Sequence, residues 1–288
     1  MYSETPKILH AILGKPLIAF VVDLAQDINS NEIICVVSRS ARDVRRMLGR
    51  TVTYAVQPAP RGTGDAALKG ITKAQNDSVL ILYGDVPLLR PPTIQNLMHH
   101  HNTHNAALTF LTCAVSNPSG YGRVLRHRDK VRGIVEHGDA TPQQQRIREI
   151  NTGIYYGSKS LMVDALHSLT ASNKQKELYL TDVIQVLLKK RKKVIGLMIE
   201  NEDEIMGINS KAELARARGI VKKEWYARLM QQGVYIEDPN TTTIDLSVQI
   251  GDNVRIRPNT VIEGNTTIAS NSVIGPFAWI QNGKKRSR

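Results

Sequence analysis

Cysteine, tryptophan and phenylalanine are scarce in this 288-residue chain, with 2, 2 and 3 copies. Two thiols exclude a disulfide framework. Cys35 and Cys113 each sit in an apolar, strand-like run, which reads as buried packing rather than a bridge or a metal pair. No apolar run approaches the roughly 18 residues of a membrane span. The amino terminus, Met-Tyr-Ser-Glu-Thr-Pro-Lys, has no apolar signal core, so the expected location is cytoplasmic, with no membrane partner. Aromatics are missing from the two basic runs, Lys189-Lys190-Arg191-Lys192-Lys193 and Lys284-Lys285-Arg286-Ser287-Arg288. Without stacking platforms a single-stranded nucleic acid is not the expected partner, and the first run reads as a solvated helix end complementing the dipole.

What is present is ordinary for a soluble protein: 41% hydrophobic and 22% charged residues. The length predicts two domains. A formal charge of +12 allows an anionic substrate, an anionic polymer or a solubilising surface.

From residue 16 to 209, helical and strand patterns alternate, which predicts βαβ units and a mostly parallel sheet with helices on both faces. Residues 79–89, Val-Leu-Ile-Leu-Tyr-Gly-Asp-Val-Pro-Leu-Leu, organise this part. The apolar run predicts a parallel strand buried on both faces and ending at Gly84-Asp85. Asp85 then stands at the strand edge where open α/β sheets bind ligands. There it can seat Mg²⁺ or simply cap the next turn. Residues 127–130 predict a hairpin turn. His99, His100, His101 and His104 cluster at one helix end, where a solvated surface is expected.

Residues 210–231 predict one long helix. Ser210-Lys-Ala-Glu213 is a capping box, and Leu214, Val221, Trp225 and Leu229 form an apolar stripe. Gly233 closes it and Gly219 weakens it. Beyond it, Ile244, Ile250, Ile256, Ile262, Ile268, Ile274 and Ile280 recur every six residues. Val248, Val254, Thr260, Thr266, Ser272 and Ala278 follow at the second inward site. A hexapeptide period of this kind predicts a parallel β-helix of about two coils.

Several motifs carry chemistry. Gln57-Pro-Ala-Pro-Arg-Gly62-Thr63-Gly64 ends a strand and opens a helix, with glycines for close backbone approach and Gln57 to read a base or ribose edge. An ordinary strand-to-helix turn explains it equally well. Gly120-Tyr121-Gly122-Arg123, Glu136-His137 and Asn151-Thr152-Gly153 offer backbone freedom and hydrogen-bonding groups for a sugar, and each has a plain structural reading too.

In combination these motifs are specific. Pro6-Lys7 with Leu9-His10, the 57–64 loop, Leu82 to Leu88, Gly120 to Arg123, Gly133 to His137, Glu149 to Gly153, Glu177-Leu-Tyr-Leu-Thr-Asp182 and Gly207-Ile-Asn209 precede the long helix and the hexads. Over residues 1 to about 280 the chain resembles the bacterial bifunctional N-acetylglucosamine-1-phosphate uridylyltransferase/glucosamine-1-phosphate acetyltransferases. The resemblance implies a Rossmann-like nucleotidyltransferase domain over 1–209, a linker helix over 210–233 and a short left-handed parallel β-helix stub with a basic tail over 234–288. It implies transfer of uridylyl from UTP to N-acetylglucosamine 1-phosphate, with release of pyrophosphate. In the same terms Asp85 and Asn209 hold Mg²⁺, and Lys7 neutralises phosphate as the catalytic side chain. Gln57, Gly62 and Thr63 bind the nucleotide, and Gly122, Glu136 and Asn151 bind the sugar.

Two departures qualify these expectations. The family's opening strand and phosphate loop, Leu-Ala-Ala-Gly-x-Gly-Thr-Arg-Met, has its last position at Met1, so a weak or inactive uridylyltransferase is expected of this chain. The many further coils that carry the acetyltransferase site and its catalytic His are not in the sequence, and two coils are a poor basis for the family's trimer. The rival readings are a sugar-nucleotide-binding remnant without turnover and a basic interaction protein.

Overall fold

The computed structural model describes residues 3–171 and 173–285, with the side chains of Lys284 and Lys285 left aside. Met1, which anchors the comparison with the phosphate loop, and residues 286–288 of the basic tail lie outside the described residues. Two compact units divide the chain. One is residues 21–206, and the other joins residues 1–20 to 207–288.

Two short strands, β1 (Ala11–Ile12) and β2 (Lys15–Pro16), pair across Leu13-Gly14 and lead into α1 (Leu17–Asp27). Leu17, Ile18, Val21, Val22, Leu24 and Ala25 are buried, the spacing of one helix face.

Within residues 21–206, β3 (Ile34–Ser38) and β4 (Thr53–Gln57) run parallel around α2 (Arg42–Leu48) and precede α3 (Thr63–Ile71). The next strands are β5 (Ser78–Ile81), β6 (Leu108–Ala114), β7 (Arg123–His127), β8 (Lys130–Val135), β9 (Glu149–Ser158) and β10 (Val194–Ile199). They form one sheet in the order β10-β6-β9-β7-β8, with β5 also on β9. Interleaved are α4 (Pro91–Thr103), α5 (Pro142–Gln145), α6 (Lys159–His167) and α7 (Asp182–Lys189).

This architecture corrects the expectation of a mostly parallel sheet. Only β10 is parallel to β6 in the larger sheet, while β9 is antiparallel to β5, β6 and β7. Nor is the 79–83 run a strand buried on both faces: β5 stops at Ile81 and only Val79 in it is fully buried. An apolar run reports burial and is blind to the direction of its neighbours. The fully enclosed strand is β9, whose central eight residues are all buried. It is the spine of the sheet.

Apolar layers cover both faces. Phe110 and Tyr155 pack with Met162 of α6 and with Val183, Ile184 and Leu187 of α7. On the other side Leu111, Ile150 and Ile154 pack with Leu24, Ile94 and Leu97. His101 joins this second layer, which corrects the reading of all four histidines as solvated. It lies one and two turns on from Leu97 and Ile94, is 8% exposed and contacts Thr109 Oγ1 through Nδ1 at 3.0 Å. His99 and His104 are exposed as expected. Cys113 is buried, whereas Cys35 is only half-buried; both thiols are free.

The predicted hairpin forms, with His127 opposite Lys130 and Arg128 at φ 53. Beside this hairpin turn, Arg126 holds Glu149 by two bonds, Nε to Oε2 at 2.8 Å and Nη2 to Oε1 at 2.7 Å.

In the other unit, α8 (Lys211–Gln231) begins with the full capping box: Glu213 N donates to Ser210 Oγ at 3.1 Å, and Ser210 N to Glu213 Oε2 at 2.7 Å. Tyr226 near its end donates to Thr242 O at 2.8 Å and packs with Leu229 against the hexad isoleucines. The hexads stack as a parallel β-helix stub, with Ile244 over Ile262 over Ile280, and Ile250 over Ile268. Ile244, Ile256, Ile262, Ile268 and Ile274 are at most 1% exposed. Each is flat against its neighbours 18 residues away, so repetition supplies the core.

Candidate functional site

Antiparallel pairing around β9 decides which chain ends meet. Ile81 lies opposite Tyr155, and Arg123 lies opposite both Val135 and Ile150. The carboxyl ends of β5 and β8 and the amino ends of β7 and β9 therefore share one edge of the sheet. That edge gathers Tyr83 to Asp85, Gly122, Glu136, Asn151 and Gly153.

The contacts are close. Asn151 N donates to Gly122 O at 2.8 Å, and Gly153 N to Asn151 Oδ1 at 3.3 Å. A β-carbon on Gly122 would lie 3.3 Å from both Glu136 carboxylate oxygens, and one on Gly153, at φ 82, would lie 2.3 Å from the Tyr83 ring. Both glycines are there because something must pass close to the backbone.

The 57–64 loop joins this edge through the segment before α7. Gln57 Nε2 donates to Gly62 O at 3.1 Å and to Asp65 Oδ2 at 2.9 Å, so its amide is turned onto its own loop. Gly64 N donates to Leu178 O at 2.7 Å, Leu178 N to Arg61 O at 2.9 Å, and Leu180 N to Thr63 Oγ1 at 3.1 Å. At the far end of the segment Thr181 Oγ1 donates to Glu136 Oε1 at 2.8 Å. Gln57, Gly62, Thr63, Gly122, Glu136 and Asn151 thus stand in one connected network within residues 21–206, and Asp85 follows two residues after Tyr83.

Electrostatics mark the same place. Burial pushes the Glu136 carboxyl up, the Thr181 bond pulls it back, Asp182 and Asp139 raise it further and Arg123 lowers it. Burial also raises Asp182, reinforced by Asp139. Tyr83 is pushed up to about 12, chiefly by burial, so its hydroxyl stays protonated and available as a donor near neutral pH. Arg123 is 1% exposed; its Nη2 lies 3.2 Å from His137 Nδ1, while its Nε has no hydrogen-bond partner among the described residues. Tyr155 Oη is likewise buried, and burial raises its hydroxyl well above the ordinary tyrosine range while Asn151 lowers it. A partly satisfied polar pocket with crowded carboxylates is the environment expected of a ligand site.

Lys7 and Asn209 belong to the other unit, where Lys7 Nζ donates to Asn209 Oδ1 at 2.8 Å. Their separation of 202 positions in sequence makes that pairing a product of the fold. Asp85 and Asn209 offer a carboxylate and an amide oxygen, the hard donors Mg²⁺ prefers. Both are oxygen donors of the kind a hard cation takes. Each donor by itself is of a type that suits the ion, and no group of three or more His, Cys, Asp or Glu side chains that could hold a metal occurs among the described residues.

Four contributors went unassigned in the sequence reading: Tyr83, Tyr155, Thr181 and the Leu178–Leu180 backbone. Tyr83 and Thr181 lie inside recognised motifs, which was the available signal. Tyr155 lies two residues beyond one, and the backbone clamp has no side-chain signature.

Comparison with known proteins agrees with this geometry. The model of the nucleotidyl transferase family matches residues 2–226, and that of the bacterial transferase hexapeptide (six repeats) matches residues 247–282. The chain is 38% identical over 291 aligned positions to the bifunctional protein GlmU of Acetivibrio thermocellus, covering 100% of this chain and 63% of the relative. It is 41% identical over 261 positions to the same-named protein of Syntrophotalea carbinolica, covering 90% and 56%. The chain therefore spans about three fifths of the length of these relatives. A crystal structure of UDP-glucose pyrophosphorylase complexed with UDP-glucose superposes with a TM-score of 0.62 at 18% identity, over 76% of this chain and 91% of that one, and shares the fold. The chain belongs to the nucleotidyl transferase family, with bacterial hexapeptide repeats following its α/β domain.

Proposed function

We propose that this chain recognises UTP and N-acetylglucosamine 1-phosphate and transfers uridylyl between them, releasing pyrophosphate, as a cytoplasmic enzyme of sugar-nucleotide supply. The observation that carries the reading is the network itself. The nucleotide loop at Gly62 to Gly64 and the sugar residues Gly122, Glu136 and Asn151 are joined through Leu178 to Thr181. UDP-sugar chemistry needs both halves side by side.

The reaction asks for positioning rather than a protein nucleophile. The sugar phosphate oxygen attacks the α-phosphorus of UTP as the bond to pyrophosphate breaks, so no covalent protein intermediate is needed. Glu136 and Asn151 hold the sugar, Gly122 gives its ring backbone clearance, and Gln57, Gly62 and Thr63 hold the uridine. Lys7 supplies positive charge against the phosphates. Mg²⁺, with Asp85 and Asn209 as its proposed protein ligands, supplies charge neutralisation on the phosphate oxygens.

A second reading is sugar-nucleotide binding without turnover. Pyrophosphate release from UTP, N-acetylglucosamine 1-phosphate and Mg²⁺ tests the pair. Turnover lost in Glu136→Gln is expected of the first reading. Binding of UDP-N-acetylglucosamine with no pyrophosphate favours the second, and absence of both rejects each. Trimer formation through the hexads stands as a separate proposal, checked by sedimentation.

A further inference from the structure

Thr181 immediately precedes α7 with helical backbone angles, φ -58 and ψ -28, and the amides of Asp182, Val183 and Ile184 are paired with Tyr179 O, Leu180 O and Thr181 O. These first-turn amides leave the Thr181 hydroxyl nothing to cap, and the side chain makes no capping bond. The hydroxyl points to Glu136 Oε1 at 2.8 Å instead, and Thr181 is 5% exposed. It is the only side-chain hydrogen bond to Glu136 among the described residues, because Arg123 is committed to Tyr121 O and His137.

The residues just before Thr181 are fixed. Three bonds pin Leu178 and Leu180 to Arg61, Thr63 and Gly64. The fit leaves no room for side chains on the loop: β-carbons at Gly62 and Gly64 would stand 2.5 and 2.9 Å from Leu178 O. A hydroxyl that the helix start does not use, bonded to a carboxylate from a segment clamped to a glycine loop, links the two parts of the site.

We propose that Thr181 is a positioning residue: its hydroxyl ties the Glu136 carboxylate to the backbone clamped on the 61–64 loop, and so sets the sugar contact relative to the nucleotide contact. The inference rests on the assignment of Glu136 to the sugar. Around Glu136 stand Arg123 of β7, Asp139 of the following loop, Tyr83 after β5, Tyr155 of β9, and Tyr179 and Asp182 at the start of α7. All of these are unchanged by substitution at 181, so a shift in Glu136 titration reports the hydroxyl itself.

The test compares Thr181→Val with Thr181→Ser in the full chain. The first readout is the carboxylate titration of Glu136 followed by carbon NMR without ligand. The second is calorimetric binding of N-acetylglucosamine 1-phosphate, with UMP as the probe of the nucleotide half. Loss of a bond to a charged acceptor should move the Glu136 midpoint upward and weaken the sugar phosphate about tenfold, leaving UMP within about twofold, with serine restoring both. An unmoved midpoint with unchanged sugar affinity overturns the proposal. So does a parallel loss of sugar phosphate and UMP that serine fails to restore, since that is the mark of a damaged helix start. If the unsubstituted chain binds no sugar phosphate, the functional reading fails, and the titration alone then decides whether Thr181 sets Glu136.

Discussion

The hexad coil and the sheet-edge site are built on opposite plans. In the coil each isoleucine meets a copy of itself one turn away, Ile244 with Ile262 and Ile250 with Ile268, so one local rule repeated is enough. At the site no residue repeats. Gln57, Gly62, Thr63, Gly122, Glu136, Asn151 and Thr181 come from five stretches of chain and meet through single hydrogen bonds and the close approach of Gly122 to Glu136. The coil is stable by redundancy, whereas the site crowds the half-buried carboxylates of Glu136, Asp139 and Asp182 together, which weakens the fold around it.

That contrast can be broken most forcefully in the coil. Ile262→Ala removes a side chain that is 0% exposed from the centre of a three-deep stack, and a loss of about 2–5 kcal/mol is expected. Both tryptophans, Trp225 and Trp279, lie in the unit that holds the coil. Denaturant melts followed by tryptophan fluorescence will therefore register the change there. An unaltered midpoint would mean the stack does not act as a unit.

The site gives smaller and more specific effects. Gly62→Ala puts a β-carbon against Leu178 O at φ 102, and strain of about 1–3 kcal/mol follows. UMP affinity should fall with it, while an alanine variant at exposed Gly138 should do neither. Equal behaviour of the two would remove the clamp from the account.

Glu136→Gln sharpens the comparison through pH. The folded carboxyl titrates above its unfolded value, so its contribution to stability is full below the ordinary glutamate range near about 4.3 and is lost as pH rises through the raised folded value. Stability of the unsubstituted chain should drop across that window more than stability of the glutamine variant, and the variant should lose sugar phosphate binding. Melting midpoints measured from pH 4 upward at intervals check the sign. Parallel curves would show that Glu136 is not held in this way.

The smallest expected change is outside both regions' chemistry. Gly219 is exposed in α8 with open space where a β-carbon would go, so Gly219→Ala should raise stability by about 0.5–1 kcal/mol without altering ligand binding.

Much of this was legible in the amino-acid order, for physical reasons that differ between the two regions. The six-residue period named the coil, because an inward side chain every sixth position has no other simple meaning. The Ser210 to Glu213 box named the start of α8, since both of its bonds are local. The larger sheet was legible in its elements and not in its directions. Residues 79–83 looked like a doubly buried parallel strand, while the structure gives that role to β9 and makes β5 antiparallel to it. His101 is indistinguishable from its exposed neighbours in the amino-acid order, because four histidines within six positions hide which one faces Leu97 and Ile94. The site's residue types were legible as motifs, but their joining was not. No sequence pattern announces that Leu178 is clamped by Gly64, or that the Thr181 hydroxyl bonds to Glu136.

The central claim is that the sheet edge holds a sugar and a nucleotide together. Calorimetric binding of UDP-N-acetylglucosamine against UDP, in the unsubstituted chain and in Asn151→Ala, tests it most directly. The account predicts tighter binding of the sugar nucleotide and loss of that advantage in the variant, with UDP affinity retained. Equal affinity for the two ligands in the unsubstituted chain, or an advantage that survives the substitution, would contradict it.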